Sequence, residues 1–295
     1  MQQPSLPRPL FDNIITHHHT SNKAACYFNL AETGIIKVSG QDASKLLQNQ
    51  CTINVQSLGE QKAQISAICN LKGRVLSLFY LLKKHDDFYL LLPMSLLDPT
   101  IQLLKKYAVF FKLTISDVST QYALYGAFHD ANKSSTDYYS INQDLGLLLL
   151  TTHRQGHYLP EAEWNKLLLY YKYPRLYAGG IDKWLPYELG LLALGAIDFE
   201  KGCYIGQEII ARMHYRSKRS FVILAAIIQS DTSPLYEELI DHDKQLVGTV
   251  IDTLSLDHDR FLALLSIKDG VYQEPLFLLK NDRYHIELLT SALEH

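Results

Sequence analysis

Lys201-Gly202-Cys203-Tyr204-Ile205-Gly206-Gln207-Glu208 sets two glycines around a cysteine and a tyrosine, and Ile209, Ile210, Ala211, Arg212 and Met213 follow directly. Glycine serves where a backbone takes a positive φ or passes close to another segment, so the octapeptide predicts a tight turn leading into a helix that begins at Gln207. The first turn of a helix offers unpaired N–H groups and a partial positive charge, which favour an anion or a thiolate. Cys203, beside Lys201 and just ahead of that helix, is thereby a candidate reactive thiol with a lowered pKa. The plainer reading makes Cys203 a small buried apolar side chain in a turn that joins two packed domains. Gln207 and Glu208 either orient the thiol or a ligand, or simply cap the helix they begin. Glu208 and Arg212 stand at the i,i+4 spacing of an ordinary ion pair.

Toward the N-terminus, residues 35–38 read as a strand closed by the Ser39-Gly40 turn, and 42–48 as a helix. Residues 64–68 and 75–82 are β-prone apolar runs on either side of Asn70-Leu71-Lys72-Gly73, a turn signal. A further strand at 88–92 precedes a run from 95 to 107 whose apolar residues fall close to helical spacing. Strands around 122–128 and 146–151 and a helix over 161–171 form a second group. Beyond Arg219, residues 221–228, 245–252, 261–267 and 284–289 are short strands without a long helix among them, which predicts a small β-barrel or sandwich. The expected class is α+β. Two α/β units, 1–118 and 119–218, precede a C-terminal β-barrel at 219–292, and 293–295 (Leu293-Glu294-His295) read as a tag remnant.

The 295 residues are 47% hydrophobic and 20% charged, with a net charge of −3, which argues against a general nucleic-acid binder because such a protein needs a basic excess. No apolar run approaches the roughly 20 residues that a membrane helix needs. Cys26, Cys51, Cys69 and Cys203 form no C-x-x-C pair, so neither a disulfide framework nor a zinc finger is indicated, no metal site is expected, and a reducing cytoplasm is the expected compartment. The adjacent His17, His18 and His19 cannot all face one metal from a regular element, and they read as part of a solvated N-terminal arm.

The octapeptide followed by x-x-A-R resembles the signature K-G-C-Y-x-G-Q-E of the YgfZ-type proteins, relatives of the glycine-cleavage T-protein linked to iron–sulfur cluster maintenance and tRNA modification. Ile36-Lys37-Val38-Ser39-Gly40-Gln41-Asp42-Ala43 with Leu46-Leu47-Gln48-Asn49-Gln50 resembles that family's first strand–turn–helix. Asn70-Leu71-Lys72-Gly73-Arg74-Val75 resembles its central K-G-R turn. Leu104-Lys105-Lys106-Tyr107, Pro186 and Leu194-Gly195-Ala196-Ile197 extend the likeness over most of the chain. The resemblance implies a central cleft for tetrahydrofolate between the domains, with Lys201, Gly202, Cys203, Tyr204, Gly206, Gln207, Glu208 and Arg212 as the signature loop and Arg74, Arg175 and Tyr177 near the folate. It implies iron–sulfur client or assembly proteins as partners, and a cluster held at most in passing.

Three departures qualify it. The aspartate pair of the aminomethyltransferases aligns with Ser77 and Leu78, Asn29 stands where those enzymes carry aspartate, and Tyr177 stands where folate-binding relatives often carry glutamate. A serine hydroxyl is no base near neutral pH without an activating partner, so aminomethyl transfer is disfavoured and enzymatic turnover stays open. The expected function is a tetrahydrofolate-binding accessory protein for iron–sulfur enzymes, including those that modify tRNA. A folate-dependent one-carbon transferase or demethylase is one alternative. A cysteine redox sensor or partner-binding module without folate is the other.

Overall fold

The computed structural model of the chain describes residues 7–20, 26–128, 137–142, 146–152, 158–216, 221–270, 276–279 and 286–289. In chain order, α1 (Arg8–Thr20) and β1 (Cys26–Asn29) precede β2 (Thr33–Ser39), α2 (Ala43–Gln50), β3 (Ala63–Cys69), β4 (Val75–Lys84), β5 (Asp87–Pro93), α3 (Leu97–Tyr107) and β6 (Thr114–Asp117). Next come β7 (Ala123–Phe128), β8 (Tyr138–Asn142), β9 (Gly146–Thr151), β10 (Leu159–Pro160), α4 (Glu161–Tyr170) and α5 (Gln207–Arg216). The chain then forms β11 (Phe221–Gln229), β12 (Glu238–Ile240), β13 (Leu246–Ser255), β14 (Arg260–Lys268), β15 (Phe277–Leu278) and β16 (Ile286–Leu289).

Three sheets result, with strand orders β3-β4-β5-β2-β6, β10-β1-β7-β9-β8 and β15-β12-β13-β14-β11-β16. The class is α+β, and the third sheet curls into a half-barrel. Its long strands alternate inward and outward residues, and the inward set, including Val250, Leu265 and Ile267, makes a core of its own.

Chain order and sheet membership part company at the start. β1 pairs antiparallel with β7, Cys26 opposite Phe128, and parallel with β10, whereas β2, only four residues later, belongs to the other sheet. The division at residue 118 therefore separates strands that hydrogen-bond to each other. The N-terminal stretch also forms a helix where an arm was expected. Leu10, Phe11 and Ile14 of α1 are buried, and the Phe11 ring meets Tyr170 of α4 edge-on at 5.3 Å. This i,i+4 apolar stripe drives the segment to fold against α4. The side chains of 17–20, like residues 293–295, lie outside the described residues.

The first two sheets are joined both at their edges and through the chain. A parallel bridge joins Lys62 to Ser140 at the β3 and β8 edges, and residues 30–32 cross over from β1 to β2. Helix α4 packs against β1 on one side and against β13 and β14 on the other, so it ties the second sheet to the third.

Candidate functional site

A cavity with about 670 Å³ of unfilled space, open solvent included, lies where the two sheets and α4 converge. Leu78 and Phe79 of β4 and Trp164 and Leu168 of α4 supply apolar walls, and the crossover contributes Leu30, Glu32 and Thr33. A second opening, about 1500 Å³ on the same measure, shares Leu30, Thr33 and Leu124 with the first and carries polar groups such as Asn29, Gln121 and Tyr122. The crossover is thus the partition between the two.

Four polar residues of α4 and the segment after it line the first cavity: Glu161, Asn165, Arg175 and Tyr177. Glu161 opens α4, and its carboxylate is held by two successive residues where the crossover enters β2. Its Oε2 accepts the Glu32 backbone N–H at 2.6 Å, and its Oε1 accepts the Thr33 hydroxyl at 2.8 Å. Burial pushes its carboxyl above the usual carboxylate range, and those two hydrogen bonds pull the other way. Asn165 lies one turn further along α4. It is 9% exposed, and none of the described residues hydrogen-bonds to its side-chain amide.

Arg175 commits its fork to a carboxylate of the third sheet. Its Nε and Nη2 donate to the two oxygens of Asp252 at 2.9 and 2.8 Å, and its backbone N–H adds a third bond at 3.1 Å. Asp252 is fully buried. It reaches Arg175 because β13 carries a register shift against β14 between Val250 and Asp252, and such a bulge redirects the side chain that follows it. The guanidinium carbon sits 5.4 Å from the centre of the Tyr177 ring, whose hydroxyl burial pushes to a higher pKa.

The signature loop lies elsewhere. Lys201 is buried, and its three ammonium protons are all used: Nζ donates to the carbonyls of Gln48, Cys51 and Ile53 at 2.7, 2.6 and 2.7 Å. Two of those carbonyls end α2, where a cation complements the helix dipole. Burial pulls the Lys201 pKa down to about 8, and Asp198 opposes that shift. Lys201 therefore fastens the loop to α2. Gly206 fastens it to the β3–β4 turn. With φ at +85°, its Cα faces the turn so closely that a Cβ would stand 2.6 Å from the Asn70 carbonyl oxygen and 3.2 Å from the Gly73 Cα. Gly73, itself at φ +72°, would bring a Cβ within 3.1 Å of Ile209. The two glycine-bearing motifs read from the sequence thus dock backbone to backbone.

Gly202 has open space around it, and Cys203 is exposed. Tyr204 is buried, with the Lys201 ammonium 4.9 Å from its ring centre, and no described residue hydrogen-bonds to its hydroxyl. Gln207 is half-buried, while Glu208 and Arg212 are exposed; among the described residues no ion pair joins those two. Cys203 lines neither opening. The β3–β4 turn on which its loop rests lies five residues from Leu78, roughly 17 Å along the strand.

Of the residues singled out from sequence, Arg175 and Tyr177 come together at the first cavity. Arg74 does not join them. Its Nη1 donates to the Lys183 carbonyl at 2.6 Å and to Glu188 at 3.2 Å, which pins the turn to the segment ahead of the loop. Leu78 faces the cavity, whereas Ser77 points to the opposite side of β4, where its hydroxyl meets Thr100 at 2.7 Å. Glu161 and Asn165 escaped the sequence reading. Their one visible signal was polarity at i and i+4 in a helix otherwise rich in buried apolar residues.

Among the described residues no helix is long and apolar enough to cross a membrane. Residues 2–126 match the family model described as the GCVT N-terminal domain. A tRNA-modifying protein YgfZ from Cronobacter sakazakii is 27% identical over 90% of this chain and 93% of its own length. Another tRNA-modifying protein YgfZ, from Colwellia psychrerythraea, is 32% identical over 64% of this chain and 67% of its own. In three dimensions, the glycine cleavage system aminomethyltransferase T from Bartonella henselae superposes with a TM-score of 0.65 at 15% identity, covering 98% of this chain and 91% of that one, a likeness of fold. The chain belongs to the YgfZ family, built on the fold of the T-protein aminomethyltransferases.

Proposed function

We propose that the protein binds a reduced folate in the cavity between its first two sheets. In this reading it serves iron–sulfur enzymes, including those that modify tRNA, as a cytoplasmic accessory protein. The observation that carries the folate reading is the cavity's chemistry. A pterin is flat, and its polar edge wants a few placed hydrogen-bonding groups between apolar walls. Leu78, Phe79, Trp164 and Leu168 supply the walls, and the anchored Glu161 carboxylate and the unpaired Asn165 amide supply the polar groups. A bound tetrahydrofolate would supply nitrogen atoms able to carry a one-carbon unit. What this chain sets against them at position 78 is a leucine side chain, which neither holds nor moves a proton. That supports an accessory role over aminomethyl transfer.

The clients are inferred from the tRNA-modifying relatives. Cys203 is the working thiol in this proposal, acting at the surface on a partner rather than on the folate, because it is exposed and lines neither opening. Any iron–sulfur cluster is cargo that passes through.

Titration calorimetry with tetrahydrofolate tests the folate reading. Binding in the micromolar range is expected, and failure of every reduced folate to bind at that concentration overturns it and leaves the thiol-based partner module. Cells lacking the protein test the thiol. Cys203→Ala should fail to restore activity of the iron–sulfur enzymes, and full rescue would remove Cys203 from the mechanism.

A further inference from the structure

We infer that Glu161 and Asn165 together recognise one edge of a ligand ring, an edge that presents two adjacent N–H donors followed by a carbonyl, as a 2-amino-4-oxopyrimidine does. The inference rests on the folate reading above and assigns the residues that would select the ring.

Asn165 places an amide on the inner face of a helix, 9% exposed and without a hydrogen bond from any described residue, and the residue lines the cavity. Its neighbours Trp164, Leu167 and Leu168 are all buried, so the position would accept an apolar side chain. What the amide can still do is meet something that enters the cavity it lines.

Glu161 is one turn away on the same face. A carboxylate has about four acceptor directions, and the Glu32 N–H and the Thr33 hydroxyl occupy one on each oxygen. One direction on each oxygen remains, and two hydrogen bonds fix the plane of the group. An acceptor pair held in this way suits a ligand with two parallel N–H groups. Arg175, the nearby cation, is forked onto Asp252 and leaves the Glu161 carboxylate unconsumed. Positions i and i+4 put the two Cβ atoms about 5–6 Å apart, a separation at which the Asn165 amide can donate to a carbonyl beside the paired N–H groups. Phe79 and Trp164 supply aromatic walls for the ring itself.

Guanine carries the same edge as a pterin, so the test compares both. Calorimetry is run on the full chain with tetrahydrofolate, its 2-desamino analogue and guanosine, on the wild type and on Asn165→Leu and Glu161→Gln. Both variants should bind tetrahydrofolate at least tenfold more weakly. The 2-desamino analogue should bind the wild type weakly and lose little further in Glu161→Gln. Asn165→Leu should leave the melting temperature of the ligand-free protein at or above the wild-type value, which separates loss of recognition from loss of folding. Tetrahydrofolate affinity within twofold of wild type in both variants overturns the inference. Guanosine binding that depends on both residues, with no folate binding, keeps the edge and removes the folate. No binding of any of the three by the wild type removes both.

Discussion

A single methyl group at Gly206 is expected to prise the signature loop from the hairpin beneath it. In Gly206→Ala the new Cβ would stand 2.6 Å from the Asn70 carbonyl oxygen and 3.2 Å from both the Cys69 Cβ and the Gly73 Cα, where carbon atoms prefer about 3.5–4.0 Å. Two of those neighbours are backbone atoms, and the Asn70 carbonyl is itself held by the Gly73 N–H at 2.9 Å, so no rotamer change relieves the contact. The left-handed backbone at φ +85° adds about 1 kcal/mol for a residue with a Cβ. Overpacking of this kind costs about 1–3 kcal/mol, giving about 2–4 kcal/mol in all. At about 2–4 °C per kcal/mol for a chain of this size, the melting temperature should fall by roughly 10 °C. Gly202→Ala is the control within the same loop. Nothing lies within 4 Å of its added Cβ, so its effect should stay within about 0.5 kcal/mol. Thermal and urea denaturation followed by circular dichroism measure both. If Gly202→Ala destabilises as much as Gly206→Ala, or if Gly206→Ala is neutral, the docking described above is wrong.

Two other outcomes follow from the same geometry. Arg175→Met leaves the Asp252 carboxylate buried without its partner and should cost about 3–5 kcal/mol, and the double variant Arg175→Met/Asp252→Leu should regain most of it; additive losses in urea titrations would refute the pairing. Iodoacetamide at pH 7.5 should add a single group to the folded chain, at Cys203. Burial pushes the Cys26, Cys51 and Cys69 thiols up to about 11, 12 and 12, so they should react only after unfolding, and mass spectrometry showing an early second adduct would contradict this.

Much of the architecture is written in local pattern. The turn residues at 70–73 separate β3 from β4 where expected, and the polar-bounded apolar runs after Arg219 give β11, β13 and β14. Partners are another matter, because period-2 alternation fixes which face of a strand is apolar but not which strand lies beside it. Nothing near Cys26 announces Phe128 as its neighbour. Gly206 was readable as a glycine that some close approach requires, but Gly73 as the surface it meets was not. Lys201 illustrates the limit most clearly. From sequence it stood as a charge next to a thiol, and in the fold it is spent on three carbonyls of another segment. The cavity's polar groups hid for a similar reason. Glu161 looks like any acidic residue in a first helical turn until the crossover at residues 32 and 33 closes on it.

That crossover bears on the order in which the molecule is made. β1 leaves the ribosome well before β7, with 94 residues from Asn29 to Ala123, so at about 5–20 residues per second its partner arrives about 5–20 s later. The sheet from β2 to β6 can close in that interval, with the first strand waiting unpaired at its border. The segment translated early is thus a component of the unit completed late, and trimming the N-terminus should loosen the middle sheet while sparing the one that follows it in the chain.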